Sequence, residues 1–448
     1  MSNRDDPRTS SRCHIDAAVE TRWPRRAFMK VGGTGLFGLT LANVLASQKA
    51  LGQQPERDLS IIVIWLTGGL GHHDSFDMKP DAAAEIRGEF SPIPTNVANV
   101  QICELLPKLA KLADKYTLIR SMTHDQADHG VGQHLMLTGY RQNPSIEYPC
   151  MGSVMAKELG WKNDMPPYVI VPDLPPLPYF GAGILSRQYS PFSAGDPNSS
   201  NYKVQDLTLP LEVDWQRMKR RQSLLQVIEQ KFRRIEKDPR FETIDAFSER
   251  AYTLLSSPRA REAFDMSKEP AHVRAKYGYT LTGQGALLAR RLVEAGVRFV
   301  LISKAFGTFD THSSNFKTLR GELPELDMAV AALFEDLHQR GQLDSTVVLV
   351  TGEFGRTPKI NNANAGRDHW PGAYSLLIGG GGFKGGYVFG STDETGSEVK
   401  DAPVRPKDLA ATLYQRLGID FTKVYQTSLS RPIRLVNEGG RVIRDLLL

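Results

Sequence analysis

Ile61-Ile62-Val63-Ile64-Trp65-Leu66 is an unbroken apolar run closed by Gly68-Gly69. A strand with one face in water would alternate apolar and polar residues, so this run predicts a strand buried on both faces. That demands helices above and below a sheet, and the rest of the chain supplies the matching rhythm. Leu105, Leu109 and Leu112 mark a short amphipathic helix, followed by strand Thr117–Arg120. Tyr168–Val171 is a further strand. Helix Leu287–Val293 leads into strand Arg298–Ser303, and a helix around Met328–Leu337 leads into strand Thr346–Thr351. Leu376–Ile378 and Tyr387–Phe389 read as late strands, and Leu409–Leu417 as a closing helix. Alternation of this kind predicts a mixed, mostly parallel sheet with helices on both faces. With 448 residues, 41% of them hydrophobic, the chain can fill such a core. Disorder, a collagen-like fold and a disulfide scaffold are excluded.

Residues 172–210 interrupt the rhythm with seven prolines and Asp196-Pro197-Asn198-Ser199-Ser200-Asn201, as expected of a long surface excursion. Leu224, Leu225, Ile228, Phe232 and Ile235 then form a helical stripe backed by arginines, read as a solvated helix face. Residues 172–282 are therefore expected to be an insertion in one domain spanning 53–448.

The N-terminus has a different character. Arg25-Arg26-Ala27-Phe28-Met29-Lys30, ahead of the weakly apolar, glycine-rich stretch Val31–Leu45, resembles a twin-arginine export signal. Residues 1–52 are expected to be that signal peptide, with small-residue cleavage sites after Ala46 and Gly52. The implied partner is the twin-arginine export machinery, and the implied location is periplasmic or extracellular. The leader holds eight Lys/Arg and four Asp/Glu of the chain's 55 and 50, so the remainder is neutral to within one charge. No nucleic-acid partner is expected of such a surface. Cys103 and Cys150 can form at most one disulfide and fit no cysteine-rich metal site.

The histidines gather after predicted strand ends, where ligands collect in α/β sheets. Seven of the nine beyond the leader fall in four segments: Gly68–Asp77, Thr123–His134, Phe309–His312 and Arg367–Trp370. Thr351-Gly352-Glu353-Phe354-Gly355-Arg356 adds a carboxylate and an arginine. Imidazole with carboxylate suits a hard-to-borderline divalent cation, namely zinc, manganese or calcium. Asp310, His312 and His369 are the preferred ligands, with Glu353 and Asp74 as further candidates. His72 and Asp125 are equally readable as exposed loop residues, and Asp368 as a group that orients His369.

Several of these segments resemble a known family. Trp65–Gly69 through Asp74–Pro80, Asp128-His129 through Met136–Gly139, Asp310–Ser313, Gly352–Pro358, Gly366–Pro371, Gly385–Gly390 and Pro406–Thr412 are together similar to the family called domain of unknown function 1501. That family is related to the alkaline phosphatase and sulfatase superfamily. The resemblance implies a three-layer α/β/α sandwich and metal-assisted attack on a phosphate or sulfate ester. It also implies a Ser, Thr or Cys nucleophile at the start of the helix that runs into Leu137-Thr138-Gly139.

The chain departs from that pattern. Counting back from Thr138-Gly139, the nucleophile position falls near His129, and no hydroxyl or thiol lies between Asp125 and Leu137. Thr123 lies six residues earlier. The superfamily's Asp-His metal pair appears as Glu353-Phe354. Its aspartate after the first strand is replaced by Thr67-Gly68-Gly69, leaving Asp74 or Asp77 as substitutes. Two functions remain open. One is an exported hydrolase of phosphate or sulfate esters in which a metal-bound water attacks, His129 ligates or moves a proton, and Arg356 and Asp368 meet the substrate. The other is a non-catalytic binding or assembly module for sulfated or phosphorylated polymers.

Overall fold

The computed structural model describes residues 58–448 except 176, 205–206, 208–215, 219, 222, 225–251, 305–306, 362 and 428–429. The leader, with its cleavage sites, and Leu225, Ile228, Phe232 and Ile235 of the basic stripe lie outside the described residues. The central sheet contains β1 (Ser60–Trp65), β2 (Tyr116–Met122), β3 (Tyr168–Val171), β4 (Phe192–Ser193), β5 (Phe299–Ser303) and β6 (Thr346–Thr351). After a separate two-stranded hairpin, β7 (Gly355–Arg356) with β8 (His369–Trp370), it is completed by β9 (Tyr374–Gly380) and β10 (Tyr387–Phe389). The order is β10-β2-β9-β6-β1-β5-β3-β4. β9 runs antiparallel to both its neighbours, and the remaining pairs are parallel, so seven of the eight strands share one direction.

β1 lies inside the sheet, and each of its residues is buried. Ile62 and Ile64 point into one core, with Leu287 and Leu292 of helix α3 (Leu281–Ala295) and Leu326 and Leu333 of helix α4 (Asn315–Gln339). Ile61, Val63 and Trp65 point into the other. There they meet Met136 of α1 (His129–Thr138), Val154 of α2 (Met151–Leu159) and Leu409 of α5 (Pro406–Arg416). The two cores on opposite sides of one sheet make the α/β/α sandwich and explain why the strands read as unbroken apolar runs.

Part of the proline-rich excursion is less peripheral than its composition implies. Phe192-Ser193 pairs in parallel with β3 and finishes the sheet, and Tyr179 and Phe180 are buried. Cys103 and Cys150 are both buried free thiols. Trp65 lies opposite Ser303 on one side and Thr351 on the other, so β1, β5 and β6 end level. The segments that leave them therefore emerge together.

Candidate metal centre

Those emerging segments must pass very close to one another. Gly68 has φ +108°, and a Cβ there would stand 2.3 Å from the Asp310 backbone nitrogen. Gly69, at φ +87°, would meet the Phe354 carbonyl at 2.6 Å. Thr67-Gly68-Gly69 is thus the crossing that lets the 309–312 and 353–356 segments close over the end of β1. The residues that look in sequence like a lost aspartate make room for Asp310.

Asp310 is the hub. Its Oδ1 lies 3.0 Å from His312 Nε2 and 3.2 Å from His369 Nε2, and its Oδ2 lies 3.2 Å from His129 Nε2. The two ring nitrogens of His312 and His369 are themselves 3.0 Å apart. Each histidine is held from behind through Nδ1: His129 by Glu353 Oε1 at 2.7 Å, His312 by Asp368 Oδ1 at 2.5 Å, and His369 by the Ala127 carbonyl at 2.6 Å. A carbonyl or carboxylate oxygen can only accept, so the Nδ1–H donates in each neutral ring. All three Nε2 lone pairs then face Asp310.

This arrangement fits a divalent cation. The triangle of Asp310 Oδ1, His312 Nε2 and His369 Nε2 has edges of 3.0, 3.0 and 3.2 Å. An octahedral ion with bonds near 2.1 Å has ligand–ligand edges of about 3.0 Å. Among the described residues, the donor atoms of His129, Asp310 and His369 also lie within 4.8 Å of one another. Without an ion or a shared proton, two imidazole lone pairs would oppose each other at contact distance. Side-chain exposures of 13% for His129, 20% for His369 and 47% for His312 leave the centre open on the His312 side.

The charges are set by the surroundings. Burial acts to raise the Asp310 pKa, but the Arg356 hydrogen bond and charge, with His129 and His369, outweigh it and hold the carboxyl at about 2. Burial acts to lower His129, and the Glu353 hydrogen bond with the Glu353 and Asp310 charges reverses this, raising it above an ordinary imidazole. His369 is lowered, mainly by burial, with the Arg356 and His129 charges adding to the effect, so its Nε2 keeps a lone pair.

Other expected site residues sit elsewhere in the network. Arg356 is fully buried. It donates to the carbonyls of Gly68, Gly69 and Arg367 and, at 2.6 Å, to Asp310 Oδ1, so it braces the ligand loop and does not reach out to an ester. Asp74 is no ligand: both its oxygens are taken by Arg367 at 2.8 and 3.0 Å, and Asn315 donates to one of them. Asp77 is likewise committed, to Thr392, Arg120 and Lys79. Glu353 is completely buried, and its Oε1 accepts from His129 and from Gly68 N at 2.8 Å, so it stands behind His129 and not among the three facing nitrogens. Asp368 holds His312, where the sequence pointed to His369 or to substrate. His72 is buried, whereas Asp125 is an exposed loop residue. Arg367, Asn315 and the Ala127 carbonyl were not anticipated. Arg367 and Asn315 lie in or beside the motif segments, while a backbone carbonyl leaves no trace in sequence.

No curated protein matches this chain. Among solved structures, it is similar to the phosphonate monoester hydrolase from Silicibacter pomeroyi, at 14% identity over 87% of this chain and 76% of that one, TM-score 0.36. It is similar to the PsFucS1 sulfatase from Pseudoalteromonas sp., at 14% identity over 84% and 70%, TM-score 0.38. A protein in the alkaline phosphatase superfamily from Vibrio parahaemolyticus matches at 11% identity over 81% and 67%, TM-score 0.38. The family whose motifs the sequence resembles matches directly over nearly all the described residues. Across residues 58–447, the chain belongs to the family described as Protein of unknown function (DUF1501).

Proposed function

We propose that this protein is a metal-dependent hydrolase of phosphate or sulfate esters. The observation that carries the reading is the convergence of three imidazole Nε2 atoms on Asp310, each ring fixed through Nδ1. Structural histidines in loops are seldom oriented so uniformly, whereas ligand histidines usually have their second nitrogen tied to an oxygen. Asp310, His312 and His369 would hold the cation, which supplies a Lewis acid for water and for an ester oxygen. Asp310 stays ionised and Arg356 keeps its loop in place. His129, backed by Glu353, holds a proton at Nε2 more firmly than a free imidazole and is placed to give or take one. His129 opens α1, where a covalent route would need a hydroxyl or thiol, and this supports attack by water. The arginine-pair leader supports a site of action outside the inner membrane.

The same absent nucleophile favours a second reading, a binding module that keeps the cation for structure. Elemental analysis followed by assays of aryl phosphates and aryl sulfates with zinc, manganese and calcium separates the two. The expected result is a bound divalent ion and turnover in the wild type. His369→Ala should lose both, and His129→Ala should lose turnover by about 100-fold or more while keeping the ion. Full turnover by His129→Ala, or a wild-type protein that takes up no ion, would reject the hydrolase assignment.

A further inference from the structure

Beside the carboxyl end of α1, at Leu135 and Gly139, an open pocket of about 470 Å³ is not used by the chemistry above. It is lined by Arg141, Arg405 and Lys407, with Thr123, His124 and Asn437 among the remaining wall residues. Only one acid, Asp125, lies in the wall, and it is paired with Arg141. Lys407 Nζ donates to the neutral carbonyl of Glu438 at 2.8 Å, and among the described residues it forms no ion pair. Arg405 is exposed at the start of the eleven-residue helix α5, whose amino end is capped by the Asp408 carboxylate just inside it. His124 does not contribute charge. Its Nε2 donates to the Glu353 carbonyl at 2.6 Å, its Nδ1 accepts from the Gln126 amide at 3.1 Å, and burial lowers its pKa.

The cavity is therefore about two charges positive, polar and large. Its volume lies within the roughly 300–1,000 Å³ of small-molecule sites. Apolar side chains are few, so a hydrocarbon ligand would leave the cations and the Asn437 amide without partners. Two nearby cations suit one phosphate or sulfate group, while Thr123 and Asn437 suit hydroxyls. We propose that this cavity binds a sugar carrying a phosphate or sulfate group, as a subsite separate from the metal centre. The ligand class follows from the hydrolase reading, but occupancy does not depend on turnover. His124 forms part of the wall and also holds the main chain of Glu353, so a ligand here would sit against the residue that fixes His129.

Titration calorimetry in chelator, which keeps the histidine cluster free of metal, tests the assignment directly. The probes are glucose 6-phosphate, glucose 6-sulfate, glucose and inorganic phosphate. One or both sugar esters should bind, more tightly than glucose or phosphate alone, and binding should weaken as salt rises. The double variant Arg405→Gln/Lys407→Gln should bind about tenfold more weakly or worse. Both residues lie at the surface, so an unchanged thermal melt should accompany the loss. His369→Ala should bind like the wild type. Absence of binding by the wild type, an unaffected double variant, or loss of binding in His369→Ala would each overturn the subsite. Failure of turnover with binding intact would count against the hydrolase reading alone.

Discussion

Arg356 shows what a single residue can and cannot disclose from sequence. Next to a carboxylate-bearing loop, an arginine is a natural ester clamp. Which way its guanidinium turns depends on Gly68 and Gly69, nearly 290 positions away, whose carbonyls it holds. The buried fork spans four acceptors, three of them carbonyls. A lysine ammonium can point at only one place and cannot bridge them. Arg356→Lys should therefore destabilise the protein by about 3 kcal/mol, the cost of leaving buried acceptors and Asp310 poorly partnered. Urea denaturation measures this. Wild-type stability together with weakened ester binding would return Arg356 to the substrate. Asp74 follows the same logic: its residue type suits a metal, but the partner that claims it, Arg367, approaches from a distant loop. Asp310, His312 and His369 come together as their spacing and strand-end positions led one to expect, because neither depends on which way a long side chain turns.

At the scale of elements, legibility followed burial. β1, β3, β5 and β6 are covered on both faces, so their sequences are continuous apolar runs. The hairpin of β7 and β8 has two residues per strand and no periodicity, yet it carries His369 and Arg356 into the site. α4 is longer than the apolar pattern around Met328–Leu337 indicates, because it runs through Pro324 from Asn315. The short 3-10 turn His72–Asp74 presents a different device. His72 and His73 donate through Nε2 to the carbonyls of Gly396 and Thr395, each at 2.8 Å, and clamp that loop. Their Nδ1 atoms are buried without a hydrogen-bond partner. Burial lowers both pKa values from 6.5, His73 strongly, with the His72 and Arg367 charges adding in its case. In the unfolded chain both protonate as pH falls through 6.5, whereas in the folded protein they resist. Stability present above pH 6.5 should therefore be lost on acidification, by up to about 2.7 kcal/mol per pH unit for the pair. His72→Gln, which keeps a donor for Gly396 but cannot titrate, should remove roughly half of that slope in urea melts from pH 7 to pH 5. An unchanged slope would mean that His72 binds its proton equally in the folded and unfolded chain.

For the whole molecule, the candidate metal centre adds to a set of cross-links between distant segments, among them Arg367 N–H to the Thr311 carbonyl and Arg356 to Asp310. Asp310 and His312 follow β5 and His369 lies on β8, so a cation would tie two segments about 60 residues apart, with His129 at the start of α1 facing them. The unfolded chain cannot present these donors together, so binding favours the folded state by mass action. At free metal about 100-fold above its dissociation constant, the gain is about 2.7 kcal/mol, reduced where unfolded histidines or cysteines also bind the ion. Chelator-treated protein should thus melt a few degrees lower than protein refilled with zinc or manganese. His369→Ala should melt at one temperature with or without metal, because it removes one corner of the triangle but leaves the sheet intact. Arg405→Gln should respond to metal like the wild type, since Arg405 lines the pocket and is none of the residues around Asp310. If the wild type melts identically in chelator and in each metal, the three rings share only protons, and the cluster is a hydrogen-bonded latch closing the loops over the sheet.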